Sequence, residues 1–180
     1  MRLLATLLSL ALSGVCFAEI PDVYIDRGAC PGEGCEYCGM YSAGAELTLY
    51  DKPSTNSIAI GRLLAGEIFI AQTGEVHTVP TRFEVREASG PFRPGDEVFA
   101  LTYRGEGWFR VFHNGKLIDA SLGFSPWGGG AGKTCDKPEF CFGQLTKELE
   151  FYWWMYVLSE SGEQGWVIHD RSMRWIAPKY

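Results

Sequence analysis

Six cysteines, three histidines and one glycine-rich run that ends in Lys-Thr are the residues of this 180-residue chain best suited to catalysis or metal binding. Cys30, Cys35 and Cys38 fall in Ala-Cys-Pro-Gly-Glu-Gly-Cys-Glu-Tyr-Cys. That spacing matches the first three thiolates of a plant-type iron–sulfur site. The fourth would have to be Cys135 or Cys141, far downstream, and export of an unfolded chain argues against a cluster. Cys35-Glu-Tyr-Cys38 is also a C-x-x-C motif. A redox role places such a motif at a helix start after a strand, where the dipole lowers a thiol pKa. Here glycines flank it and no βαβ pattern surrounds it, so structural bridges are the better reading. Cys135 and Cys141 bracket Asp-Lys-Pro-Glu-Phe, a loop that one disulfide closes. Two of Cys30, Cys35 and Cys38 pair with each other, or one reaches the later pair; spacing alone does not encode connectivity. The odd count that remains without Cys16 leaves one thiol free or shared with another chain.

His77, His113 and His169 are isolated in sequence. A nucleophilic triad needs Ser or Cys, His and an acid converging in space, and no Gly-x-Ser-x-Gly elbow occurs. The run Gly128-Gly-Gly-Ala-Gly-Lys133-Thr134 resembles a phosphate loop at first sight. The true pattern needs glycine at 127, which is Trp, and a strand-then-helix setting that is missing. It reads as a flexible loop. Acids such as Glu33, Glu36, Glu46, Glu148 and Glu150 are scattered, with nothing to make a glycosidase pair of any two. No His/Asp spacing points to a metal, and no cofactor is expected. The reading is therefore non-catalytic. The enzymatic rival is a thiol-dependent envelope enzyme of the cell-wall peptidase kind, built on a Cys–His pair.

Aromatic residues make up 14 % of the chain. Their flat faces bury area at small entropic cost and suit sugar rings or peptide prolines. Tyr50, Tyr103, Trp108, Tyr152, Trp154 and Tyr156 are the candidate ligand contacts, with Trp153 and Trp166 in the same set. Side chains alternate along a strand, so Trp153 and Met155 share one face while Tyr152, Trp154 and Tyr156 share the other. One face is core; the other is either covered or an open platform.

The elements that position these residues follow an export signal. Residues 1–18 carry Arg2, an apolar run from Leu3 to Val15 and Cys16-Phe-Ala18, the layout of a cleaved secretory signal. The expected location is periplasmic or secreted. No other segment is long and apolar enough to span a bilayer. The full chain has a net charge of −6, and loss of Arg2 makes it one unit more negative. Acidic surfaces disfavour nucleic acid and anionic membranes.

Residues 19–44 read as an irregular, Cys/Gly-rich lead-in. Alternating or apolar runs then predict strands at 46–50, 58–63, 67–71, 81–86, 98–103 and 108–112. Asn114-Gly115 signals a hairpin into Leu117-Ile118. Residues 123–143 read as loop. Residues 149–158 are apolar on both faces, as in a covered strand, and 166–169 form a last strand. The fold class is all-β, a sandwich or small barrel with little helix.

Residues 45–74 and 151–170 carry a family look. Leu47-Thr-Leu-Tyr50, Pro53-Ser-Thr55, Ile60-Gly-Arg-Leu63 and Gly66-Glu67 resemble the first half of a bacterial SH3-like (SH3b) domain. Gly162-Glu-Gln-Gly165-Trp-Val167, behind the aromatic strand, resembles its end. The resemblance implies small SH3-like barrels, with the inserted β segment at about 80–150 separating the two halves. Either one elaborated barrel or two interleaved ones fits; the second is favoured. It also implies a non-catalytic module for cell-envelope material, peptidoglycan peptide or glycan, or for a protein partner. Inhibition of a wall-degrading enzyme is a variant of that role.

Overall fold

The computed structural model describes residues 19–32, 37–126 and 141–176. Among them every regular element is a strand, and none is a helix. The strands are β1 (Tyr24–Arg27), β2 (Met40–Ser42), β3 (Leu47–Tyr50), β4 (Ala59–Leu63), β5 (Ile68–Val79), β6 (Thr81–Val85) and β7 (Val98–Gly105). They continue as β8 (Trp108–His113), β9 (Lys116–Ser121), β10 (Gly143–Leu145), β11 (Glu150–Ser159), β12 (Gln164–Ile168) and β13 (Arg174–Ile176). β-Branched and aromatic residues fill these runs, and Gly, Pro, Asn and Asp separate them. No helix among the described residues is long and apolar enough to cross a membrane.

The strands form two sheets, one of them curled into a half-barrel. The larger has eight strands in the order β13-β2-β5-β11-β12-β3-β4, with β1 also on β5; the smaller runs β10-β6-β7-β8-β9. Strands within 81–121 and 143–145 build the smaller sheet, and strands before and after them build the larger. The chain passes from β5 to β6 at Pro80, which has no N–H to donate to a ladder. It returns where Thr146 N–H donates to the Arg82 carbonyl at 2.9 Å.

Each sheet has its own core. Leu49, Phe69, Met155 and Val157 centre the larger one, and Phe83, Phe92, Phe109 and Val111 the smaller. Phe151, at the start of β11, packs against both. Arg104 on β7 also reaches Asp26 on β1 at 2.8 Å, an ion pair across the seam.

The lead-in expected to be irregular contains β1 and β2. Both pair antiparallel with the same side of β5. At four and three residues they are too short for alternation to register. β5 is also longer than the five residues read at 67–71, because it continues through Gly74. A side chain at Gly74 would collide with the Trp154 carbonyl and the Tyr37 hydroxyl, so this glycine permits close approach rather than a turn. β8 and β9 meet at Asn114-Gly115, with φ of 47° and 82°, the backbone of a tight two-residue hairpin.

Candidate functional site

β11 places alternate side chains on opposite sides of the larger sheet. Trp153, Met155 and Val157 enter the core. Tyr152, Trp154 and Tyr156 stand on the outer face, where cross-strand register completes a cluster. Tyr156 lies opposite Trp166 on β12, and Trp166 opposite Tyr50 on β3. The Tyr156 and Trp166 rings meet edge to face at 5.4 Å. Tyr50 meets Trp154 edge to face at 5.8 Å. Such geometries favour the ring quadrupoles beyond simple area burial.

Trp154 is only 4 % exposed, the floor of this cluster rather than a platform. Tyr152 is 46 % exposed, while Tyr50, Tyr156 and Trp166 are half-buried around the floor. The Tyr152 hydroxyl donates to Glu150 Oε1 at 2.7 Å. That hydrogen bond to a carboxylate holds the phenol pKa above its ordinary value. An open depression of about 450 Å³ adjoins it, lined by residues 147–152.

β5 supplies the polar side of the cluster. His77 lies opposite Tyr152, and Glu75 opposite Trp154. His77 Nε2 and Glu75 Oε2 are 2.9 Å apart, and Arg27 Nε is 3.2 Å from Glu75 Oε1. The His77 ring also sits 6.3 Å from Trp154. Both carboxylate oxygens are thus engaged. The Arg27 side chain, 77 % exposed, offers its remaining N–H groups to an incoming acceptor. His77, Glu75 and Arg27 were not singled out as site residues in the sequence. The alternation Glu75-Val76-His77 shows the two β5 residues once β5 is carried past Gly74, while Arg27 on β1 comes to them only by strand pairing.

The remaining candidates lie elsewhere. Tyr103 is 3 % exposed in the smaller core, its ring 5.1 Å from Phe109, and presents no face to a ligand. Trp108 is 49 % exposed but on the smaller sheet, away from the cluster. Sequence alternation could not foresee which aromatics the second core would consume.

Cys38 is an exposed free thiol, while Cys30 and Cys141 are carried in disulfides. Cys35, Cys135, the glycine run at 128–132 and the signal at 1–18 lie outside the described residues. Tyr37, next to Cys38, accepts a hydrogen bond from Trp153 Nε1 at 2.9 Å and donates to the Ala29 carbonyl at 2.5 Å. These bonds tie the cysteine-bearing segment to the core, and burial raises the Tyr37 pKa. His169 stacks on Trp153 at 4.8 Å, and burial lowers its pKa. His113 Nε2 is 2.9 Å from Asp96 Oδ2 at a turn of the smaller sheet, and Asn114 bonds the other oxygen at 3.1 Å. The hydrogen bond from His113, above all, holds Asp96 at about 2. No group of three His, Cys, Asp or Glu suited to a metal occurs among the described residues.

No family model, curated protein or solved structure matches this chain.

Proposed function

We propose that the chain is an exported, non-catalytic binding module for cell-envelope material, peptidoglycan peptide or glycan, and that it binds through the aromatic end of the larger sheet's outer face. One observation carries this reading. Tyr156, Trp166 and Tyr50 stand in register on three adjacent strands, over a buried Trp154 and beside the half-exposed Tyr152. A floor locked by edge-to-face contacts preorganises the rings above it, which reduces the entropy lost on binding. Arg27 at the margin suits a ligand carboxylate, such as a peptide terminus or an acidic sugar.

The SH3b resemblance at 45–74 and 151–170 supports the same role, because both halves belong to the sheet that bears the cluster. We read the two sheets as two interleaved small barrels, the second inserted into the first. Disulfide staples at Cys135–Cys141 and within Cys30–Cys38 belong to the same reading, with Cys38 a free thiol; peptide mapping without reductant tests them. The thiol-enzyme reading has less support, since each histidine is engaged by Glu75, Asp96 or Trp153.

Co-sedimentation with purified peptidoglycan tests the binding role. Wild-type protein is expected in the pellet, with Tyr50→Ala, Tyr152→Ala and Arg27→Ala each retained several-fold less. Retention no better than that of an unrelated acidic β-protein would remove the envelope reading.

A further inference from the structure

The opposite end of the same outer face is aliphatic. Register pairs Ile176 with Met40, Met40 with Ile70, and Ile70 with Leu158. One apolar row thus crosses β13, β2, β5 and β11. The next row pairs Arg174 with Ser42 and Ser42 with Ile68. Glu160 closes it, its N–H donating to the Ile68 carbonyl at 3.1 Å. Met40 is 42 % and Ile70 40 % exposed, and Ile68, Leu158 and Ile176 are half-buried. A solvated sheet face would carry polar residues at these positions. Here charge occurs only at the two ends of the second row, with opposite sign. Arg174 and Glu160 form no ion pair among the described residues.

This pattern is complementary to itself. Consider two such faces stacked, related by a two-fold axis that runs along the strands midway between β2 and β5. The axis sends β13 onto β11 and β2 onto β5. Ile176 then lies over Leu158, Met40 over Ile70, and Ser42 over Ile68. Arg174 of each copy meets Glu160 of the other. Isologous contacts have this property, each residue of a pair finding the other twice. Aligned sheet packing within about 30° accommodates it.

We propose that the aliphatic end of the outer face is a contact between two copies of this chain. Four strands about 4.8 Å apart and two rows about 7 Å apart make a patch of a few hundred Å². A stable dimer buries roughly 800 Å² per partner. The dimer is therefore weak and forms only at high protein concentration.

Sedimentation equilibrium on the purified protein, from about 10 µM to about 1 mM, reads the association directly. A monomer–dimer equilibrium is expected. Ile70→Glu, at a half-exposed site that leaves the circular dichroism spectrum unchanged, raises the Kd at least about tenfold, since it buries an unpaired carboxylate against Met40. Arg174→Glu and Glu160→Arg each raise it about threefold to tenfold, and the double swap restores it. The proposal is overturned by a chain that stays monomeric throughout, by an unchanged Kd in Ile70→Glu, or by a double swap no tighter than the singles. Tyr152→Ala leaves the Kd as it was, so failure of the envelope reading and failure of the dimer are separate results.

Discussion

Tyr103 and Phe109 of the smaller sheet turn inward with rings 5.1 Å apart, and Phe124, just past β9, packs on Phe109 at 4.7 Å. In the larger sheet Tyr50, Tyr156 and Trp166 line up on the side away from the core. The difference lies in supply. Five strands drawn from 81–145 must close a core of their own, and aromatics provide its volume. The larger sheet fills its core with aliphatic residues such as Leu49, Leu63, Met155 and Val157 beside Tyr41, Phe69 and Trp153, and carries further aromatic side chains on its outer face. An aromatic residue in a strand thus becomes core or surface according to what else its sheet has to bury.

The largest test asks whether the two cores are separate. Phe109 is fully buried in the smaller one. Phe109→Ala should cost about 3–5 kcal/mol of stability. Hydrogen exchange should then show amides of β6 to β9 opening first while β5 and β11 stay protected. Equal loss of protection in both sheets would make them one cooperative unit. The second test divides the outer face itself. Trp154→Ala should cost about 3–5 kcal/mol in denaturant unfolding, as a core truncation does. Tyr152→Ala should leave the denaturation midpoint near wild type and lower only ligand retention.

Titration gives each sheet its own signature. His169 stacks on Trp153 of the larger sheet, and burial holds its pKa below the usual 6.5. The unfolded chain then binds the proton more readily than the folded one, so this group favours folding above about pH 6.5 and opposes it as pH falls from there. His169→Phe, which keeps a ring on Trp153, should flatten that part of the stability–pH curve. Asp96 of the smaller sheet is lowered to about 2 by its bonds to His113, Asn114 and the Arg93 N–H. Its contribution is complete above the unfolded value of 3.8 and is lost as pH falls toward about 2. Asp96→Ala should remove that more acidic limb, the smallest effect of the four, since the group sits at a turn on the rim of the sheet. Following unfolding by Trp fluorescence and by hydrogen exchange separates the two windows.

Much of the strand pattern was legible because alternation and turn chemistry are local. The stretch 149–158 and β11 coincide within a residue, and Asn114-Gly115 marks its hairpin outright. β1, β2, β10 and β13 were not legible. Each has three or four residues, and each is a strand only because a longer neighbour offers it backbone partners. The candidate site was legible in part. Tyr50, Tyr152 and Tyr156 belong to the outer face, whereas Trp154 beneath them and Tyr103 in the other sheet are buried. Glu75 and His77 escape a strand read only to residue 71, and Arg27 joins them across β1 and β5, not along the chain.

By itself the sequence determined the all-β class, the main turns and which β11 residues share a side, since these follow from backbone period and side-chain shape within a few residues. Tertiary structure alone decided that strands within 81–121 and 143–145 form a sheet with a separate core, that Cys38 is an exposed free thiol, and which end of the outer face is aromatic and which aliphatic. Those outcomes depend on pairing between strands dozens of residues apart. Register, not composition, brings Tyr50 to Trp166 and Met40 to Ile70.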